Sequence, residues 1–129
     1  MSRMHADPSE YLSILTYAPA EAVKSFADSL IPELGEIEIL SGRTVLTQLP
    51  QVGEVLVTEL CVCLPDGTEG YSAILGTDQD HAAAVAILDA ALIAYPKGSL
   101  HDQIVAFIDD QAALLSHEAE SESTALETA

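Results

Sequence analysis

Apolar residues first recur at helical spacing at Tyr11, Ile14, Leu15 and Ala18. That spacing places them on one stripe of a helix. The segment opens on "DPSE": Asp7 reads as the N-cap, Pro8 takes the first helical position, and Glu10 completes a capping box. A second helix is predicted from Pro19 to about Ile31, with Val23, Phe26, Ala27 and Leu30 inward and with Pro32 and Gly35 ending it. The pattern then becomes that of strands. Glu36 to Leu40 alternates, with Ile37 and Ile39 on one face. Ser41-Gly42 reads as a turn, "RTVLTQL" as a second strand, and Pro50 to Gly53 as a loop.

Glu54 to Leu64 is the longest β-rich run. Val55, Val57, Cys61 and Cys63 lie on one face; Leu56, Leu60, Val62 and Leu64 lie on the other. Both faces are apolar, which predicts a central strand covered on at least one side. "PDG" at Pro65 to Gly67 is a turn signal, and "TEGYSAIL" reads as a fourth strand antiparallel to the third. Thr77 is the expected cap of a third helix, with Ala84, Ile87, Leu88, Ala91, Leu92 and Tyr95 inward. "PKGS" stops it, and Ser99 is the expected cap of a last helix that buries Ile104, Phe107, Ile108 and Leu115.

The order is ααββββαα. Consecutive strands flanked by helices predict an α+β fold: a four-stranded, mainly antiparallel sheet with two helices before it and two after. Residues 1–116 form one expected domain, and the acidic, small and polar stretch 117–129 reads as a disordered tail. A chain of 129 residues is one domain by size and long enough to bury a core. Trp is absent and aromatics make up 5%, so that core is aliphatic.

Charge changes the picture most. Four basic residues face 21 acidic ones, a formal net charge of -17. Such a field repels nucleic acid and anionic lipid, and it favours a basic protein partner. No apolar run reaches the ~20 residues of a membrane span, and the N-terminal ten residues show no signal peptide, so a cytoplasmic location is expected. Cys61 and Cys63 share a strand face at a spacing that bridges poorly, and they read as small buried apolar side chains.

Candidate chemistry concentrates where Gly76 joins the fourth strand to the third helix. Free N–H groups there would attract an anion. Asp78 and Asp80 already supply that negative charge, and no Lys or Arg lies nearby in sequence. His81, with the two aspartates, has the composition of a hard metal site, yet a first-turn residue that is solvated or held by a backbone bond accounts for it better. His5, His101 and His117 have no ligand-spaced partner, and no metal site is expected. Tyr71 reads as a packed ring with a wet hydroxyl. No nucleophile elbow, Walker loop or metalloprotease His pair occurs. No catalytic residue can be assigned from these patterns.

The stretch "LPDGTEGYSAILGTDQDHAAAVAILDA", Leu64 to Ala90, resembles the PhnG family of the bacterial carbon–phosphorus lyase system. The matching positions are Leu64, Asp66-Gly67-Thr68, Gly70-Tyr71, Leu75-Gly76, Asp78, His81-Ala82 and Leu88-Asp89-Ala90, without a gap. Thr58 on the preceding strand agrees more loosely. The resemblance implies a small subunit that acts with PhnH-like, PhnI-like and PhnL-like proteins. Together they make ribose 1-alkylphosphonate 5-triphosphate from MgATP and an alkylphosphonate. A PhnJ-like radical enzyme then breaks the carbon–phosphorus bond. The residues it marks as family-motif or partner-facing are Thr58, Asp66, Gly67, Gly70, Tyr71, Gly76, Asp78 and His81.

Basic residues common in that family are replaced here by Thr77, Gln79 and Asp80, and by Glu59-Leu60 on the strand. The expectation is therefore a chain that packs and docks, that binds no cofactor by itself, and that leaves the chemistry of MgATP to a partner. Docking is expected on the unit from Glu54 to Leu92. From charge and the lack of a visible site alone, the competing reading is an acidic chaperone or adaptor with no enzymatic role.

Overall fold

The computed structural model describes residues 6–128, with side chains described up to Ser116. His5, Ala129 and the side chains of the stretch 117–129, expected as a tail, thus lie outside the described residues. A short 3-10 turn, Pro8–Glu10, leads into α1 (Tyr11–Tyr17) and α2 (Ala20–Leu34). Three strands follow: β1 (Glu38–Leu49), β2 (Gly53–Cys63) and β3 (Glu69–Leu75). The chain closes with α3 (Gln79–Ala94) and α4 (Ser99–Thr128). The α+β class, the helix count and the antiparallel sheet agree with the sequence pattern. The sheet, however, has three strands in the order β1-β2-β3, not four.

The missing turn explains the difference. Ser41-Gly42 does not reverse the chain. The register steps from Ile39↔Val62 to Ser41↔Cys61, so Leu40 is an extra residue in a β-bulge. The bulge bends the strand and lets one long β1 pair along the whole of β2. The reversal comes at Pro50 to Val52, where Gln51 adopts φ 69° and Leu49 pairs with Gly53.

Helix boundaries differ in similar ways. Pro32 lies inside α2, and the helix runs on to Leu34, which is buried. A proline costs one backbone bond there; the added turn seats Leu34 in the core, and Gly35 ends the helix. Asp7 caps the first turn by accepting from Ser9 N at 3.0 Å and Ser9 Oγ at 2.9 Å, in place of the expected box with Glu10. The cap of α3 is Asp78, not Thr77, and Ser99 is already the first residue of α4.

The core lies between the sheet and the helices. β3 alternates without exception: Gly70, Ser72 and Ile74 are buried, while Glu69, Tyr71, Ala73 and Leu75 are exposed. On β2, Thr58, Leu60 and Val62 point inward. Above them α3 buries His81, Ala82, Ala84, Val85, Ala86, Leu88, Ala90 and Ala91, nearly all round its circumference. A single stripe was expected; the helix is apolar on all sides because the sheet lies beneath it and α1, α2 and α4 pack around it. Leu15, Val23, Leu30, Ile104 and Ile108 close the core from those helices. Phe26 of α2 stacks on Phe107 of α4, centroids 4.2 Å apart. No helix among the described residues is long and apolar enough to cross a membrane.

Candidate docking surface

The family-like stretch is used almost entirely to build β3 and α3. Gly70 shows why a glycine is needed. A Cβ there would lie 2.1 Å from the Ala86 carbonyl oxygen and 2.6 Å from the Ala90 Cβ. Strand and helix backbones are in contact, and Ala82, Ala86 and Ala90 are small for the same reason. Ser72, buried beneath them, donates from its hydroxyl to the Ala82 carbonyl at 2.6 Å. At Gly76 the requirement is conformational: φ is +103°, a region closed to branched side chains.

The polar motif residues are each taken up by a neighbour. Thr58, fully buried, donates to the Gly76 carbonyl at 2.7 Å and shares a hydroxyl contact of 2.9 Å with Thr44. Asp66 accepts from Thr68 N at 2.9 Å and closes the turn that contains Gly67. That bond holds its carboxyl below the usual carboxylate range. Asp78 accepts from His81 N at 2.9 Å. This N-cap bond, and then the Lys24 ammonium 3.1 Å away, lower its pKa. Lys24 arrives from α2, so the cation that the local sequence lacks is supplied by the fold. The N-terminus of α3 is thus occupied by its own carboxylate, and an anion would have to displace it.

His81 is not solvated. It is buried, and its Nε2 lies 3.0 Å from the Leu15 carbonyl. A carbonyl only accepts, so Nε2 carries the proton. The bond satisfies a last-turn carbonyl of α1 and ties that helix to α3 across 66 residues. No cluster of metal-ligating side chains occurs among the described residues.

Asp89, quoted in the family-like stretch but not singled out as a site residue, has a similar duty. It accepts from Tyr71 N at 2.9 Å, covering an amide on the free edge of β3. Burial raises its pKa, and the Tyr71 bond opposes that rise. Its partner could not be foreseen, because the pairing spans a strand-to-helix crossing.

What the motif leaves exposed is the other face of the sheet, which no described helix covers, although α1 borders it along the β3 edge at Leu12 and Tyr17. Cross-strand partners share a face, so the rows are read from the register. They are Ser41, Cys61 and Tyr71; Arg43, Glu59 and Ala73; and Val45, Val57 and Leu75, with Thr47 and Val55 beyond. Tyr71 is 48% exposed and Leu75 52%. Arg43 Nε donates to Glu59 Oε2 at 2.7 Å, and the Tyr71 hydroxyl lies 3.4 Å from Glu59 Oε1. The salt bridge between Arg43 and Glu59 engages the cation that the described strands place on this face. Burial, and then the Glu59 charge, push the Tyr71 phenol up. Burial and then the Glu69 carboxylate also raise the Cys61 thiol. Both shifts favour the protonated forms. Cys61 and Cys63 are free thiols on this open face, half-buried rather than in the core.

The hairpin of β1 and β2 extends the apolar surface onto its second face. Ile39 and Leu46 are each 62% exposed, and Val52 and Leu56 at or near the tip are exposed as well. A cleft of about 650 Å3 at the base of the hairpin is lined by Glu36, Glu38, Cys63, Pro65 and Gly67, and it presents carboxylates but no cation. Eight motif residues are therefore placed, and they do not converge on a cleft. Thr58, Asp66, Gly67, Gly70, Gly76, Asp78 and His81 hold the scaffold, while Tyr71 stands on the open face.

A family model described as "Phosphonate metabolism protein PhnG" matches residues 6–129. No curated protein matches the chain.

Proposed function

The chain belongs to the PhnG family of phosphonate metabolism, a member of the carbon–phosphorus lyase system, and from that premise we propose that it serves there as a docked, non-catalytic subunit. In this reading it assembles with PhnH-like, PhnI-like, PhnJ-like and PhnL-like chains. With the PhnH-like, PhnI-like and PhnL-like chains it supports the synthesis of α-D-ribose 1-alkylphosphonate 5-triphosphate from MgATP and an alkylphosphonate. The partners carry the nucleotide and the displacement of adenine.

The observation that carries the reading is the division of labour on the sheet. Seven of the eight motif residues are spent on the scaffold, while the opposite face exposes Tyr71 and Leu75 beside Val45 and Val57. Contiguous exposed apolar surface of this kind marks protein interfaces. The net charge of -17 supports the same division. A polyphosphate needs clustered cations, and here Lys24 and Arg43 are each engaged by carboxylates. A generic acidic chaperone has no need of a family match that runs from residue 6 to residue 129.

The test is to coexpress the neighbouring phosphonate genes with and without this chain, and to follow adenine release from MgATP in the presence of an alkylphosphonate. Release that requires this chain, together with its co-elution, is the expected result. A complex that forms and reacts at the full rate without it would overturn the proposal. Calorimetry on the free chain is expected to give no heat with MgATP; a micromolar affinity would assign the nucleotide site here instead.

A further inference from the structure

We propose that the outer edge of β1, from Ser41 to Leu49, is a seat for one added β-strand from a cationic partner polypeptide. The inference rests on the docked-subunit reading and specifies how one partner attaches. Its basis is the phase of the backbone ladder. Gly76 N donates to Leu56 O at 2.7 Å, and Leu64 N donates to Thr68 O at 2.8 Å. In an antiparallel sheet the N–H and C=O of one residue point to the same neighbour. Leu56, Thr58, Leu60 and Val62 therefore pair with β3, and the alternate residues of β2 pair with β1. The register then assigns Arg43, Val45 and Thr47 to the inner ladder. Gly42, Thr44, Leu46 and Gln48 direct their amides and carbonyls outward, where no described element covers them.

Sheet edges are ordinarily blunted by charge, proline, a bulge or a covering helix. The only bulge of β1 sits at Leu40, and from Thr44 to Leu49 the strand carries neither a charge nor a proline. Arg43, the single cation of the strand, is turned onto the open face and bound by Glu59. By contrast, the other edge of the sheet is partly protected, because Asp89 covers Tyr71 N. The long edge is thus left open at the place where side chains such as Leu46, 62% exposed, can grip an extended segment. Strand addition of this kind takes its affinity from the main chain and its specificity from alternate side-chain seats.

Charge decides the occupant. A second copy would bring another -17 to the contact, and that repulsion opposes self-pairing. Carboxylates stand at both ends of the open edge, Glu38 at the base and Glu54 opposite Gln48 near the tip. The segment that fits has alternating apolar residues with Lys or Arg at its ends.

Amide hydrogen exchange tests this directly. The chain is exchanged free and within the assembly formed with its coexpressed phosphonate-gene neighbours, then quenched, and individual amides are read. Expected is at least a tenfold slowing at Gly42, Thr44, Leu46 and Gln48 in the assembly only. Arg43, Val45 and Thr47 should be slow in both. An assembly that forms while the outward amides stay fast overturns the strand seat and leaves the subunit reading standing; no assembly at all defeats both. Slowing of the same amides in the free chain as its concentration rises identifies the occupant as a second copy and overturns the cationic partner. Leu46→Pro removes one outward donor, sparing the inner ladder, and should abolish co-elution at an unchanged far-UV spectrum. If that variant unfolds, Leu46→Lys is the second variant; normal assembly by a folded form of either counts against the seat.

Discussion

Gly70 carries more of the fold than any large side chain on β3. Its missing Cβ would occupy the place of the Ala86 carbonyl oxygen, and backbone cannot move aside as a side chain can. Gly70→Ala is expected to cost about 3 kcal/mol or more, the upper range for overpacking, and to appear in thermal melting as a large drop or as failure to fold. His81→Ala is expected to be intermediate. It leaves the Leu15 carbonyl without its partner, at about 1–3 kcal/mol, and opens a void besides. A melting temperature equal to the parent's for His81→Ala would contradict the tether between α1 and α3. The glycine was legible as part of a packing motif. The burial of His81 was not, because its partner carbonyl is 66 residues away and a first-turn position gives no sign of what lies over it.

At the scale of elements, α3 is fixed at its start by Asp78 and beside β3 by Asp89, and the two carboxylates act oppositely with pH. The folded pKa of Asp78 is lowered, so its stabilisation is present above the unfolded value and is lost as pH falls through the folded one. The folded pKa of Asp89 is raised, so its ionisation destabilises the fold above that value, and the penalty is relieved as pH falls. Asp78→Ala removes the cap and is expected to cost about 1 kcal/mol at neutral pH, with the deficit shrinking under acid conditions. Asp89→Asn keeps an acceptor for Tyr71 N and is expected to raise the melting temperature at neutral pH, with the gain vanishing in acid. Melting curves of the two variants against pH check both signs; parallel curves would refute the assignment.

The helices and the β2-to-β3 turn were legible because apolar period and turn residues agree there, although the caps of α3 and α4 each fall one residue from the expected position. The β1 strand was not. Ser41-Gly42 has the composition of a turn, and only pairing with all of β2 makes it a bulge within a strand. Pro32 misled for a related reason: local chemistry ends a helix there, while the buried seat of Leu34 extends it.

On the scale of the whole molecule, one face of the sheet is consumed by the chain's own helices and the other is left open. The two-sided apolar character of β2 pointed to this in the sequence. Which face would be covered depended on Gly70 and the alanines of α3, and so on geometry. A charge of -17 opposes self-association of a chain with this surface, and the same charge favours encounter with basic partners. Leu75 separates folding from docking, because it is 52% exposed and lies on the open face beside Val57. The most direct test of the account is therefore the co-elution of Leu75→Asp with its coexpressed phosphonate-gene neighbours, measured beside its melting temperature. Expected is a variant that melts within a few degrees of the parent and elutes alone; one that melts normally and still joins the assembly at the parental level would contradict docking through the open face.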